Sequence, residues 1–189
     1  MIRIGILGDI GSGKSFVANS FGYPVFNADY EVSILYKKEK KIFKKLNKKL
    51  PKFISSFPIN KNEIAKAILS NKANLKKIIT VVHLEIRKSL KLFLKKNKNK
   101  KIVILDIPLL LENRINNQND ILIFIDSNKT EIEKRLKKRP NFNRKLINKF
   151  KKIQFSSVYK KKKSNFIIKN NFKKKSLNNS IKKILNEIL

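Results

Sequence analysis

Several residue types are missing or rare in this chain. Its 189 residues include no cysteine, no tryptophan and a single histidine. Without cysteine there can be no disulfide, thiolate metal site or cysteine nucleophile, and one histidine argues against a zinc site. No apolar run approaches the ~20 residues that span a bilayer, and the N-terminus lacks a signal-peptide pattern. We therefore expect a cytoplasmic protein without a membrane partner.

Acidic residues are also scarce, at 13 against 46 lysines and arginines, which gives a formal net charge of +33. Such a charge is typical of nucleic-acid-binding proteins. Alternatively, lysine, asparagine and isoleucine have accumulated together through drift in codon composition. The basic residues are spread along the chain and are mostly lysine rather than arginine, the better base reader. We therefore favour drift, expect no specific nucleic-acid partner, and expect the charge to attract small polyanions.

Glycine is rare as well, because all five glycines lie between Gly5 and Gly22, three of them in the stretch GDIGSGKSF. This stretch matches the phosphate loop, G-x-x-x-x-G-K-[ST]. Glycine tolerates the positive φ angles that aim successive amides at a phosphate, and the helix start that follows favours an anion. The alternative is a glycine-rich turn between a strand and a helix. The loop residues predicted to bind ATP are Gly8, Asp9, Ile10, Gly11, Ser12, Gly13, Lys14, Ser15 and Phe16.

Short apolar runs that alternate with helical patterns predict an α/β fold with a parallel sheet covered on both faces. The predicted strands are 2–7, 24–26, 101–106, 121–126 and 166–168. The predicted helices are 15–21, 62–70, 74–96, 129–138, 144–155 and 176–189. We interpret 1–189 as a single domain of the P-loop kinase type with an inserted helical lobe at approximately 30–100. The stretch 37–52 is either a helix or partly disordered.

Two strands end in an aspartate. Asp106 ends the strand 101–106, where an acid beside a phosphate loop commonly holds Mg²⁺, so Ser15 and Asp106 are the predicted metal ligands. The alternative for Asp106 is a helix N-cap or a turn residue. Asp126 is a local competitor, and we favour a structural role for it as a cap-like turn before the helix at 129.

Two further features suit phosphoryl transfer. Asp29 follows the second strand, where it could accept a proton from a substrate hydroxyl, although a helix N-cap is the alternative. Arg135, Arg139 and Arg144 lie around Pro140 and predict a mobile lid at approximately 136–150 that would stabilise transition-state charge. The alternative for this segment is a solvated basic helix.

Three segments together resemble the dephospho-coenzyme A kinase family, namely GDIGSGKS at 8–15, VFNAD at 25–29 and, most diagnostic, DIPLLLE at 106–112. Further matches follow in the family's order along the chain: His83, the pair Arg135 and Arg139, Gln154, and FIIKNN at 166–171. The resemblance implies a sheet with its first strand central, and a helical lobe over the acceptor. We expect a monomer.

The resemblance also implies a reaction, in which ATP phosphorylates the ribose 3′-hydroxyl of dephospho-coenzyme A with Mg²⁺ as cofactor. It implies catalytic roles for Asp29, Lys14 and Arg139, nucleotide contacts by Arg139 and Asn170, and acceptor contacts by Asp29, His83, Leu109, Leu110 and Glu112. The alternative for His83 is a satisfied histidine on a helix. Two rival functions remain: a kinase for another small acceptor such as a nucleoside monophosphate, and a basic nucleic-acid-binding protein with a vestigial loop.

The sequence departs from the family pattern at several positions. Asp9 replaces a glycine of the loop, so its charge must point outward or it weakens nucleotide binding. Asn27 replaces an aspartate, which leaves Asp29 as the candidate base. The other departures are Leu84 for proline, Ser164 and Asn165 for Ala-Asp, and Phe172 for glycine. None of them removes a group that the chemistry requires.

Overall fold

The computed structural model describes residues 1–140 and 142–189. The chain divides into two compact units. The first comprises Met1–Asn27, Asn97–Asn143 and Phe150–Leu189, and the second comprises Ala28–Lys96 and Arg144–Lys149. The first unit carries a β-sheet, whereas the elements of the second are helical.

The first unit is built on parallel strands with short apolar sequences. They are β1 (Ile2–Gly8), β2 (Val25–Asn27), β3 (Ile102–Asp106), β4 (Ile121–Asp126) and β5 (Phe166–Lys169). In the described residues they form one five-stranded sheet in the order β2-β3-β1-β4-β5, which confirms the predicted parallel sheet and its central first strand. Every residue of β3 is buried, as expected for a parallel strand covered on both faces.

The helices of the first unit are α1 (Lys14–Ser20), α6 (Lys129–Lys137), α8 (Ser157–Lys163) and α9 (Lys174–Ile188). Two of them, α1 and α9, pack apolar side chains against this sheet, whereas the buried residue of α8 is Lys160. One core cluster joins strands β1, β3, β4 and β5 to α1 and α9, and includes Ile4, Ile6, Val17, Ala18, Ile104, Ile123, Leu177 and Ile181. Burial of each valine, leucine or isoleucine side chain of this cluster contributes about 1.5–3 kcal/mol. The sheet thereby fixes β1, whose carboxyl end leads into the glycine-rich loop.

The second unit contains α2 (Ala28–Lys38), α3 (Lys40–Lys49), α4 (Lys61–Ser70) and α5 (Lys72–Lys96). Its buried side chains include Leu35, Ile42, Leu46, Ile64, Ile68, Leu75, Ile78 and Val82. The Lys149 ammonium donates to the carbonyls of Ile68 and Leu69, at 2.8 Å each, which satisfies two acceptors that the end of α4 leaves open. Within the stretch 37–52, α2 ends at Lys38 and α3 spans Lys40–Lys49, which favours the helical alternative for most of it.

The helices α2 and α8 were not predicted, and one predicted helix is shorter. The stretch 144–155 was expected as one helix, but α7 (Arg144–Lys151) ends early and α8 follows it. Ser156 starts α8 by accepting a hydrogen bond from the Tyr159 amide at 3.2 Å. The four lysines of α8 hide its periodicity. No helix within the described ranges is long and apolar enough to cross a membrane.

Candidate active site

The glycine-rich loop joins β1 to α1 and has a conformation that other residues would strain. Gly11 and Gly13 have φ angles of 89° and 90°, in the left-handed region that favours glycine. A Cβ on Gly13 would lie 2.7 Å from Asn170 Nδ2, and one on Gly11 would lie 2.9 Å from Leu136 Cγ. The positive φ angles and the close packing together favour glycine at both positions, and the phosphate-loop pattern specifies it at Gly13.

Side chains from two other segments hold the loop. The Ser12 carbonyl accepts hydrogen bonds from Ser127 Oγ at 2.8 Å and from Asn170 Nδ2 at 2.9 Å. Asn170 is 4% exposed, and its Oδ1 accepts from the Phe172 amide at 3.0 Å. Asn170 thus anchors the loop, and its predicted contact with the adenine stays a prediction.

Lys14 lies at the start of α1 and folds its side chain back over the loop. Its ammonium donates to the carbonyls of Gly8 at 3.1 Å and Asp9 at 2.9 Å. The next two residues, Ser15 and Phe16, are exposed. The lysine therefore lies against the loop, and its predicted contact with the outer phosphates stays a prediction.

The predicted metal ligand Asp106 lies at the carboxyl end of β3, opposite Asn27 in the pairing of β2 with β3. Asp106 is buried, and its Oδ2 accepts a hydrogen bond from Asn27 Nδ2 at 2.7 Å. Among the described residues no group of three acidic, histidine or cysteine side chains could hold a metal. A carboxylate and the Ser15 hydroxyl are oxygen ligands of the kind that Mg²⁺ takes together with phosphates and water. The donor set present here therefore fits Mg²⁺.

Asp126 has a structural role, but not the predicted one. Its carboxylate accepts from the Lys161 ammonium at 2.8 Å, and its carbonyl accepts from the Asn170 amide at 2.7 Å. The cap of α6 is Asn128 instead, whose side chain accepts from the Thr130 amide at 2.8 Å. The prediction of a cap at Asp126 is therefore wrong by two residues.

Asp9, the acidic residue of the loop, is held by α8. Its Oδ2 accepts from Ser157 Oγ at 2.7 Å, and its Oδ1 lies 3.7 Å from the Lys160 ammonium. The sequence provided no signal for Lys160, because it is one of four consecutive lysines. The structure distinguishes it, since its side chain is 4% exposed.

The DIPLLLE segment lies beside the loop. Leu110 is 1% exposed and packs on β1, where a Cβ on Gly5 would lie 2.6 Å from its Cδ2. Glu112 accepts from the Phe155 amide at 2.8 Å, and its carboxylate lies 3.9 Å from the Lys160 ammonium. A small cavity of about 10 Å³ is lined by Gly8, Lys14, Leu109, Leu110, Glu112 and Lys160, among others. The structure thus brings predicted nucleotide and acceptor residues together around one cavity.

A larger cavity, of about 280 Å³, lies on the Asp9 side of the loop. Its lining includes Asp9, Ile10, Lys129, Gln154 and Ser157. Two loop residues that were predicted to bind nucleotide therefore border open space.

Two predicted site residues belong to the second unit. Asp29 is exposed in the first turn of α2, two residues after the end of β2. His83 is half-buried on α5, and its pKa is lowered by burial and, to a smaller extent, by the Arg87 guanidinium. The predicted roles of Asp29 as base and His83 as acceptor contact stay predictions.

The predicted lid, 136–150, includes residue 141, which lies outside the described residues. Arg139 and Arg144 are exposed. The Arg135 guanidinium lies 4.2 Å from the centroid of the Phe172 ring, within the range of a cation–π contact. The lid, and the predicted role of Arg139 in it, stay predictions.

A central parallel strand, a glycine loop and a helix that starts at Lys14 place the protein in the class of P-loop nucleotide-binding proteins. The family model for dephospho-CoA kinase matches residues 2–176, and the chain belongs to this family. It is 33% identical over 190 residues to a dephospho-CoA kinase from Wolbachia sp. subsp. Brugia malayi, covering 98% of this chain and 97% of that one. A dephospho-CoA kinase from Rickettsia felis is 30% identical over 188 residues, at 98% and 96% coverage.

Solved structures agree on the fold. The crystal structure of TT1252 from Thermus thermophilus has a TM-score of 0.77 at 25% identity, and the match covers 100% of this chain and 98% of that one. Dephospho-CoA kinase from Campylobacter jejuni has a TM-score of 0.62 at 24% identity, with 98% and 96% covered, which supports the fold alone. Membership of the dephospho-CoA kinase family makes the chain a kinase, and neither a nucleoside monophosphate kinase nor a nucleic-acid-binding protein with a vestigial loop is favoured.

Proposed function

We propose that the protein phosphorylates the ribose 3′-hydroxyl of dephospho-coenzyme A with ATP, giving coenzyme A and ADP, the final step of coenzyme A synthesis. The observation that carries the proposal is an intact phosphate loop at the end of β1 in a chain that matches the family over residues 2–176. We also propose that the enzyme is a cytoplasmic monomer.

In this proposal the loop amides and Lys14 hold the β- and γ-phosphates. Lys14 supports this role because its ammonium already contacts two loop carbonyls and would exchange them for phosphate oxygens. Arg139 would add positive charge from the lid, and Asn170 would lie near the adenine while it anchors Ser12. These groups stabilise charge on the transferring phosphoryl group, which is the main task in phosphoryl transfer.

Ser15 and Asp106 would hold Mg²⁺, which neutralises phosphate charge when bound. Asp106 suits this role because it is a buried carboxylate. The Asn27 amide fixes one of its oxygens, so that the carboxylate keeps one orientation.

Asp29 would accept the proton of the attacking 3′-hydroxyl as the general base. It is exposed at the start of α2, where a carboxylate can meet a substrate. We propose that the helical lobe at approximately 30–100 covers the acceptor, with His83, Leu109, Leu110 and Glu112 as contacts. In this proposal 1–189 acts as one kinase domain, and the stretch at approximately 136–150 closes as a lid.

A coupled assay of ADP release tests the function. Purified protein with ATP and Mg²⁺ should release ADP with dephospho-coenzyme A, but not with its 3′-deoxy analogue, which lacks the accepting hydroxyl. Lys14→Ala should abolish this turnover. ADP release with a nucleoside monophosphate and none with dephospho-coenzyme A would contradict the proposed acceptor. Gel filtration at assay concentration tests the monomer.

A further inference from the structure

One buried charge has no part in the mechanism above. Lys160 is 3% exposed, and its ammonium has no hydrogen-bond partner among the described residues. It lies 3.7 Å from a carboxylate oxygen of Asp9 and 3.9 Å from one of Glu112. Burial of an ammonium costs several kcal/mol unless opposite charge compensates it. These two carboxylates are the compensating charges.

The neighbouring lysines of α8 are placed differently. Lys161 pairs with Asp126 at 2.8 Å, Lys162 is exposed, and the Lys163 ammonium lies 6.0 Å from the centroid of the Tyr159 ring. Within the part of the chain that the structure describes, Lys160 is the only buried lysine. Its position is therefore specific, whereas the lysine run as a whole is a solvated face.

The need for a cation here comes from the loop itself. Asp9 puts a negative charge into a loop that is proposed to hold a triphosphate, and a carboxylate there repels phosphate oxygens. The Asp9 carbonyl also accepts from the Lys14 ammonium at 2.9 Å, so a change in the position of Asp9 would also move a contact of Lys14. Ser157 Oγ holds the second Asp9 oxygen at 2.7 Å.

We propose that Lys160 is a positioning residue for the phosphate loop, an inference that rests on the proposed function. Its ammonium neutralises Asp9 and Glu112 together, which lets an acidic loop residue lie beside a bound triphosphate. Through these carboxylates Lys160 connects the loop to the segment 106–112. Its backbone amide donates to the Ser156 carbonyl at 3.0 Å, so α8 fixes where this charge lies.

A double-mutant cycle in ATP affinity tests the proposal. The four proteins are the wild type, Lys160→Met, Asp9→Asn and Lys160→Met/Asp9→Asn, and calorimetry with ATP and Mg²⁺, without acceptor, gives each Kd. Lys160→Met should weaken ATP binding about tenfold, because it leaves Asp9 uncompensated beside the phosphates. In the Asp9→Asn background the same change should weaken ATP binding by less than about threefold. Equal losses in both backgrounds would overturn the proposal, since coupled neighbours are not additive.

Two controls distinguish the positioning role of Lys160 from a general effect of net charge on ATP binding. Lys162→Met removes the same charge from an exposed position of the same helix, and we expect less than a twofold change in Kd. Lys160→Arg keeps the charge and should retain most of the affinity. A loss with Lys162→Met as large as with Lys160→Met would show that only net charge matters, and would also overturn the proposal.

The proposal can still be tested if the Lys160→Met protein does not fold. Asp9→Asn alone should then tighten ATP binding by less than about threefold, because Lys160 already neutralises this carboxylate. Tightening of about tenfold or more would mean that Asp9 is uncompensated, and the proposal would fail. The ADP assay with dephospho-coenzyme A reports on the proposed function separately. A wild type that binds ATP but phosphorylates no acceptor would refute that function and leave the cycle interpretable.

Discussion

Asn27 and Asp106 face each other at the carboxyl ends of β2 and β3, with the Asn27 amide nitrogen donating to a carboxylate oxygen of Asp106 at 2.7 Å. Asn27 is a departure from the family pattern, which has an aspartate there. A second carboxylate at this distance would repel that of Asp106, so that one of the two acids would have a raised pKa. The amide instead orients Asp106 and leaves it as the single acid of the pair.

If Asp106 holds Mg²⁺, Asn27→Ala should lower the apparent affinity of the enzyme for Mg²⁺, although it removes no metal ligand. Loss of a hydrogen bond that orients a metal ligand typically costs about 10- to 100-fold in metal affinity. We therefore expect the Mg²⁺ concentration for half-maximal rate to rise at least tenfold, with little change in the maximal rate. Asn178→Ala, at an exposed position of α9, is the matched control. An unchanged Mg²⁺ dependence would argue that Asp106 does not hold the metal.

The proposed base makes a separate prediction for Asp29. Asp29→Asn keeps the size of the side chain but removes its basicity, so phosphoryl transfer should fall about 10²- to 10⁴-fold. ATP affinity should stay within about twofold, because the loop is proposed to hold the nucleotide. The measurement is kcat by ADP release beside the Kd for ATP by calorimetry. A rate near that of the wild type would remove Asp29 from the mechanism.

The sequence predicted the sheet and the loop because both depend on local patterns. Short β-branched runs mark β1, β3 and β4, and glycines at fixed spacing mark the loop. The missed elements lack such a pattern. α8 consists largely of lysine, and a run of one residue type has no periodicity that would identify Lys160 as buried. The bond between Asn27 and Asp106 joins residues that are 79 apart in sequence, which only the strand order brings together.

The two glycines Gly13 and Gly22 allow backbone strain to be separated from close packing. Both have positive φ angles, of 90° and 75°. A Cβ on Gly13 would lie 2.7 Å from Asn170 Nδ2, whereas one on Gly22 would meet nothing within 4 Å. Alanine at either position pays about 1–2 kcal/mol for the left-handed conformation.

Gly13→Ala should therefore destabilise the protein more than Gly22→Ala, and it alone should weaken ATP binding. The reason is that the new methyl group displaces Asn170, which anchors the Ser12 carbonyl. Urea unfolding gives the free energies, and calorimetry gives the Kd for ATP. Equal effects on ATP binding would contradict the anchoring role of Asn170.

His83 makes a prediction about acid stability. Burial, and to a smaller extent the Arg87 guanidinium, lower its pKa in the folded protein, because both disfavour the imidazolium form. The unfolded chain then binds a proton more readily than the folded one. The resulting stability is fully present above the unfolded pKa of about 6.5 and is lost as the pH falls through the folded pKa.

His83→Gln removes this titration, so its free energy of unfolding should fall less than that of the wild type between about pH 7.5 and pH 5. Arg87→Gln keeps the histidine but removes the smaller cause, and should raise the pKa of His83 part of the way towards its ordinary value. Urea unfolding at several pH values measures the first effect, and NMR titration of the single histidine measures the second. Parallel pH profiles for the wild type and His83→Gln would mean that His83 has the same pKa in the folded and unfolded protein.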